Sequence, residues 1–100
     1  MEIPIGLPWY RRDAYSDLRR IFVDGHRLPP AYDQWLEDAE ASFAQLQVYG
    51  GLVMKVHLDP RHFSFWCEKR HIPMDFRARQ QFAMEMAREH AAKVPSVALL

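Results

Sequence analysis

Residues 52–59 constrain the fold more than any other part of this 100-residue chain. Apolar side chains occupy the even positions of this segment, whereas Lys55, His57 and Asp59 occupy odd positions. A period of two with one polar face predicts a half-buried β-strand over residues 52–58. A single strand leaves a row of backbone N–H and C=O groups without partners, so another segment must pair with it.

Three segments are candidates for the partner of this strand. The first is an extended N-terminal arm, residues 1–10, in which Pro4, Gly6 and Pro8 exclude a helix. The second is the C-terminal tail, residues 95–100, and the third is the same strand of a second copy. We expect the rings of Trp9 and Tyr10 to hold the arm against the core.

Two helices are predicted before the strand. Asp13 is expected to cap the first, which runs to about Asp24 and stops at Gly25. Residues 28–30 start the second, and the glycines at 50–51 end it. The second helix has the clearest apolar stripe in the chain, formed by Tyr32, Trp35, Leu36, Ala39, Phe43 and Leu46.

Two further helices are predicted after the strand. Asp59 and Pro60 begin the third, which Pro73 ends. Asp75 caps the fourth, which reaches about Val94. The side chains expected to face inward from these two helices are Phe63, Trp66, Cys67, Phe82, Ala83, Met86, Ala87 and His90. The predicted fold is therefore α+β and mostly helical, in the order helix, helix, strand, helix, helix, within a single domain spanning residues 1–100.

The composition argues against several functional classes. The chain has 13 basic and 13 acidic side chains, so strong non-specific attraction to nucleic acid or to an anionic membrane is not expected. The single cysteine excludes an internal disulfide. No apolar run approaches the ~20 residues of a membrane helix, and the first residues lack the features of a signal peptide. We therefore expect a cytoplasmic protein.

Catalytic and metal-binding motifs are weak in this sequence. His57, Asp59 and His62 are the best candidates for a metal site, since zinc accepts imidazole and carboxylate ligands. Asp59 is already explained as a helix cap, however, and His57 as a solvent-facing strand residue. Cys67 lies between apolar neighbours, which favours a buried structural cysteine over a nucleophile. We expect neither an enzyme nor a cofactor.

Arginines are concentrated near the first helix, which suggests an alternative function. Arg11, Arg12 and Arg19 could contact phosphates while neighbouring rings stack on bases. Asp13 and Asp17 interrupt the basic run and would repel phosphates. Nucleic-acid binding is therefore the less favoured hypothesis.

The second helix carries acidic residues only. Residues 28–51 contain no Lys or Arg, and their four acidic residues are Asp33, Glu37, Asp38 and Glu40. Such a helix could dock on a basic partner surface. The simpler interpretation is the solvated side of an amphipathic helix.

The sequence also resembles a family of small uncharacterised bacterial proteins. The residues that carry the resemblance are Ile5-Gly6-Leu7-Pro8-Trp9-Tyr10-Arg11-Arg12, Tyr15, Leu18-Arg19, Ile21-Phe22, Asp24-Gly25, Leu28-Pro29, Tyr32-Asp33, Trp35-Leu36, Val56, Asp59-Pro60, Phe63 and Trp66-Cys67. The resemblance implies a bacterial cytoplasmic protein that stands alone as one domain. It implies no activity and no site.

The unpaired strand suggests the leading functional hypothesis. We expect a small structural or protein-interaction module that self-associates, most simply as a homodimer, or binds another protein. The interaction residues would be Val53, Lys55 and His57 of the strand.

Overall fold

The computed structural model describes residues 4–93 of the chain. Within this range lie two strands, β1 (Ile5–Trp9) and β2 (Val53–His57). The four α-helices are α1 (Arg12–Ile21), α2 (Tyr32–Val48), α3 (Pro60–Arg70) and α4 (Phe76–Lys93), with a 3₁₀ turn at Gly25–Arg27. The predicted α+β, mostly helical class is confirmed. None of the helices in the described range combines the length and the apolar character needed to cross a bilayer.

The order of elements differs from the predicted order at the N-terminus. The arm is not merely extended but forms strand β1, so the order is strand, helix, helix, strand, helix, helix. β1 pairs in parallel with β2, with Ile5 opposite Val53 and Trp9 opposite His57. The arm is thus the partner that the described residues show. The tail at residues 95–100 lies outside them.

The two faces of this small sheet contact different helices. α4 packs against the face of β1 that contains Gly6, so closely that a Cβ atom at Gly6 would collide with the carbonyl oxygen of Ala83. Trp9 belongs to the opposite face, where its ring packs edge-on against Trp35 and Phe43 of α2, at centroid distances of 5.4 and 6.2 Å. The sheet therefore lies between α2 and α4.

Aromatic side chains form most of the hydrophobic core. Tyr10 and Trp35 are in contact at a centroid distance of 4.6 Å, which continues the cluster that starts at Trp9. The expectation that Trp9 and Tyr10 hold the arm against the core is confirmed, since both are buried. The buried rings of the core are Trp9, Tyr10, Tyr15, Phe22, Trp35, Phe63, Trp66 and Phe82.

Two of the three predicted helix caps are confirmed. The Asp59 carboxylate accepts a hydrogen bond from the His62 backbone N–H at 2.9 Å, and Asp75 accepts one from the Ala78 N–H at 2.9 Å. The cap at Asp13 was wrong, because α1 already starts at Arg12. Asp13 lies in the first turn instead, where its charge still favours the helix dipole.

The ends of α1 and α2 also differ from prediction. α1 stops at Ile21 rather than near Asp24, because Phe22 turns to extended backbone and the Val23 N–H bonds the Met74 carbonyl at 2.9 Å. α2 starts at Tyr32 rather than at 28–30. Leu28 and Pro29 each precede a proline, which disfavours helical backbone at both positions.

The inward side chains of α3 and α4 are largely those expected. Phe63, Trp66, Cys67, Phe82, Ala83 and Ala87 are buried, and Met86 is half-buried. His90 is an exception, since it is exposed near the end of the helix. The predicted terminus of α4 at Val94 lies outside the described residues.

An ion pair between the buried Arg79 and the half-buried Asp24 fixes α4 to the segment that follows α1. Arg79 is only 4% exposed, and its guanidinium donates a 2.7 Å hydrogen bond to Asp24 while lying over the Phe22 ring. The hydrogen bond from Arg79 lowers the pKa of the Asp24 carboxyl. Burial raises the pKa of the neighbouring Tyr10 to about 12, despite the opposing effect of Arg79. α4 is thereby held in the position that covers β1.

Candidate functional site: the free edge of β2

The pairing of β1 with β2 determines which backbone groups of β2 point away from the sheet. The Ile5 N–H bonds the Leu52 carbonyl at 2.8 Å, and the Leu58 N–H bonds the Trp9 carbonyl at 3.0 Å. In a parallel pair the bonding residues of a strand alternate, so the even residues of β2 face β1. The N–H and C=O groups of the odd residues, Val53, Lys55 and His57, therefore point outward. We call this row the β2 edge.

The opposite edge of the sheet, on β1, is closed. By the same alternation, Gly6 and Pro8 are the outward residues of β1. Pro8 has no N–H, and the Gly6 N–H donates to the sulfur of Met84 on α4 at 3.2 Å. The outward face of β1 thus has no free backbone donor to offer another strand.

The β2 edge has no such protection among residues 4–93. The described elements that make the main contacts with β2 are β1, α4 and α2, and the sheet ends at β2 on this side. Lys55 and His57 are exposed and Val53 is half-buried. Three N–H and three C=O groups are consequently available to a strand that approaches from solvent.

The side chain of Lys55 is drawn back towards its own chain. Its ammonium nitrogen lies 4.3 Å from the centroid of the Trp9 ring and 4.8 Å from that of Phe43. Cation–π attraction to two rings stabilises this position. The Lys55 charge therefore lies over the face of the sheet. It does not project from the middle of the β2 edge, where it would disfavour pairing with another strand.

Exposed apolar side chains lie beside the start of the β2 edge. Val48 and Tyr49 at the end of α2 are 83% and 81% exposed, and Leu52, directly before β2, is 48% exposed. Single exposed apolar residues are common on protein surfaces. Three within five positions, next to an unpaired strand edge, are typical of a surface that another chain covers.

The structure separates the three residues predicted as a possible metal site. His57 and Asp59 line a polar crevice of about 480 Å³ beyond the end of β2, together with Arg11, Asp13 and Asp17. The His62 ring instead packs edge-on against Phe82, at a centroid distance of 5.2 Å. In the described part of the chain, no three His, Cys, Asp or Glu side chains come together in a way that could hold a metal ion.

The imidazole of His57, which lines the crevice, has a lowered pKa. Burial lowers the pKa of His57, and the positive charges of Arg11 and Lys55 lower it further. An imidazole with a pKa below its usual value is mostly neutral at pH 7. His57 therefore adds little positive charge to the β2 edge.

The three arginines of the alternative hypothesis lie in different environments. Arg12 forms an ion pair with Asp33 at 2.6 Å and covers the ring of Tyr32. Arg11 faces the polar crevice, and Arg19 is half-buried. The carboxylate of Asp33 compensates the charge of Arg12, so this side chain has less charge to offer a phosphate.

Cys67 is buried, as the sequence predicts for a structural cysteine. Burial is the main cause that raises the pKa of its thiol, and the charge of Asp75 contributes. A thiol with a raised pKa is a poor nucleophile at neutral pH.

The acidic side of α2 is a solvated surface in the structure. Glu37, Asp38 and Glu40 are exposed, and Asp33 pairs with Arg12. This arrangement agrees with the simpler of the two interpretations of the acidic helix.

Sequence reasoning identified the residues of the β2 edge but missed what distinguishes it from β1. The hydrogen-bonding phase of β2 depends on its register with β1, which alternation of side chains does not encode. The signal for the closed edge was present in Pro8, since a strand with an outward proline cannot donate at that position. No sequence pattern indicates that the Met84 sulfur accepts a hydrogen bond from the Gly6 N–H.

No protein-family model, curated protein or solved structure matches this chain, so the geometry of the β2 edge is the main guide to function.

Proposed function

We propose that this protein is a small non-catalytic interaction module that self-associates through the β2 edge. The observation that carries the proposal is the outward row of backbone groups at Val53, Lys55 and His57. An open strand edge is a template for pairing with another strand. A location in the cytoplasm is part of the same proposal.

Three features of the described residues support self-association. The β1 edge is closed by Pro8 and by the Gly6 contact with α4, so association has one available edge. The exposed Leu52 extends the surface that a second strand would cover. The withdrawal of the Lys55 ammonium over Trp9 reduces the repulsion between two copies of a lysine-bearing strand.

Size-exclusion chromatography with light scattering tests the proposal. We expect a mass twice the 11.8 kDa of the chain at micromolar concentrations. A mass of one chain throughout this range contradicts self-association.

A proline substitution identifies the edge. Val53→Pro removes an outward N–H that makes no hydrogen bond within the sheet, at the first residue of β2, where proline is tolerated. We expect this variant to fold and to elute as a monomer. Val23→Ala is the control, because Val23 is exposed and lies after α1, outside the apolar group beside the β2 edge; this variant should remain dimeric. A dimeric Val53→Pro variant would place the interface elsewhere.

A further inference from the structure

The alternation of outward and inward backbone groups along β2 limits how two copies can pair. A closed dimer that uses the same edge on both copies has a two-fold axis, and with that axis perpendicular to the sheet the paired strands are antiparallel. Only the odd residues of β2 present outward N–H and C=O groups. Hydrogen-bonded pairs must therefore join an odd residue of one copy to an odd residue of the other.

Electrostatic repulsion disfavours the register in which the two β2 strands overlap most, with the two-fold axis at Lys55. If the axis passed through Lys55, each Lys55 would face the partner's Lys55 at a Cα separation of about 5.5 Å. Like charges directly opposite each other destabilise an antiparallel pair. The position of each ammonium over Trp9 reduces this repulsion but does not remove it, because no other antiparallel register brings the two lysines closer together.

A shift that moves the axis to Met54 removes this conflict. Lys55 then faces the partner's Val53, and Val53 faces the partner's Lys55. These two pairs provide four backbone hydrogen bonds between the copies. Each lysine is opposed by an apolar side chain and can keep its position over Trp9 and Phe43.

The same register matches apolar side chains on the other face of the sheet. Met54 faces the partner's Met54, and Leu52 faces the partner's Val56. Leu52 is 48% exposed, whereas Met54 and Val56 are half-buried, so each has surface left to bury. Apolar pairs across antiparallel strands contribute roughly 0.2–1 kcal/mol each. A register centred on Lys55 would instead place Leu52 opposite Leu58, which is already buried in its own copy.

We infer that two copies form a four-stranded sheet, in the order β1, β2, β2, β1, with Met54 of each copy on the two-fold axis. This inference rests on the proposed self-association and adds the register. Met54 and the partner's Met54 form a non-hydrogen-bonded pair, whose Cα atoms lie about 4.5 Å apart.

Disulfide trapping tests the register directly. A Cα separation of about 4.5 Å allows a disulfide, whereas a separation above about 7 Å does not. Met54→Cys should form a disulfide between copies under mild oxidation. Val53→Cys and Val56→Cys are the matched controls, because in this register neither residue faces its own counterpart: Val53 faces the partner's Lys55, and Val56 faces the partner's Leu52. We expect at least ~10-fold less cross-linked product from each control.

The wild-type chain provides the background, because its one cysteine, Cys67, is buried. Circular dichroism of each reduced variant shows that it is folded. For an independent measurement, a mixture of isotopically labelled and unlabelled wild-type protein should give a nuclear Overhauser contact between the Met54 Hα protons of the two copies.

The outcomes separate the register from self-association itself. A dimeric protein in which Met54→Cys cross-links no better than Val53→Cys or Val56→Cys overturns the register and leaves self-association intact. The same holds for a dimer that lacks the contact between Met54 protons. A monomeric wild-type protein with no cross-linking at any position overturns both.

Discussion

The two strands of the sheet differ in what packs against them and in the backbone groups that their outward edges leave free. β1 lies against α4, is held by the ring of Trp9, and has no free donor on its outward edge. β2 leaves three outward residues without covering structure in the described range. The comparison shows how a two-stranded sheet can direct association to one side: a proline and a glycine close the first edge, and the second stays open.

The same comparison assigns different roles to the two strands. Substitutions in β1 should act on the stability of the fold, because its side chains and even its missing Cβ atom contact the core. Substitutions in the outward positions of β2 should act on association. Substitutions in each strand and in the residues that hold β1 in place can therefore distinguish these roles.

Removal of the Trp9 ring should have the largest effect. Trp9→Ala deletes a buried ring that contacts Trp35 and Phe43, and we expect a loss of about 3–5 kcal/mol in the free energy of unfolding. Lys55→Ala, on the same face of the sheet in β2, should cost only about 0.5–1 kcal/mol, the value of its contact with the rings. Urea denaturation measures both. Equal effects would contradict the division between the strands.

Loss of the ion pair that holds α4 over β1 should have the next largest effect on the free energy of unfolding. Asp24→Asn leaves the buried guanidinium of Arg79 without its carboxylate, and we expect a loss of about 3 kcal/mol. Asp17→Asn is the control, since its pair with Arg20 is exposed and should contribute less than about 1 kcal/mol. Thermal denaturation compares the two variants.

The same pair predicts a dependence of stability on pH. The folded-state pKa of Asp24 is below its ordinary value of 3.8, so its stabilisation is fully present above pH 3.8. It is lost as the pH falls through the lower folded pKa. Wild type should therefore lose stability below pH 4 more steeply than Asp24→Asn. Parallel curves would mean that the ion pair does not contribute to the acid transition.

The close contact between β1 and α4 should be sensitive to a single methyl group. Gly6→Ala places a Cβ against the backbone of Ala83, which cannot move without displacing α4, and we expect a loss of about 1–3 kcal/mol. Gly51→Ala is the control beside β2. Its Cβ would come close to the end of the flexible Ile5 side chain and would be in ordinary contact with the Leu46 carbonyl oxygen, so stability should stay within about 1 kcal/mol of wild type.

The smallest effect concerns the titration of His57 at the end of β2. Its pKa should lie below the ordinary value near 6.5, mainly because of burial and then because of Arg11 and Lys55. Stability linked to a lowered histidine pKa is present above pH 6.5 and declines as the pH falls towards the folded pKa. NMR titration of the ring measures it. In Arg11→Ala the pKa should move upward, and an unchanged value would exclude this interaction.

The sequence predicted those parts of the fold that depend on local chemistry. The four helices, the caps at Asp59 and Asp75, and the strand after Gly51 all follow from short-range patterns. Strand β1 was predicted only as an extended arm. Pro8 and Gly6 within it, and Pro4 just before it, suggest a loop unless one knows that the N–H missing at Pro8 would face outward.

The candidate site was predictable in its residues but not in its geometry. Alternation of side chains identified Val53, Lys55 and His57, yet their backbone phase required the register with β1. The resting place of Lys55 over Trp9 and Phe43 joins three segments that are distant in sequence. Only tertiary packing brings such groups together, so no local pattern reports it.

The parallel register also has a consequence for how the chain acquires its structure. Ile5 and Val53 face each other although 48 positions separate them, and a ribosome releases β1 long before β2 exists. Closing so long a loop is entropically costly, and non-local pairing of this kind slows folding. During translation, the backbone groups of β1 that bond β2 therefore have no partner in β2 until residues 53–57 have been made. α1 and α2 lie between the two strands in the chain and can form in that interval.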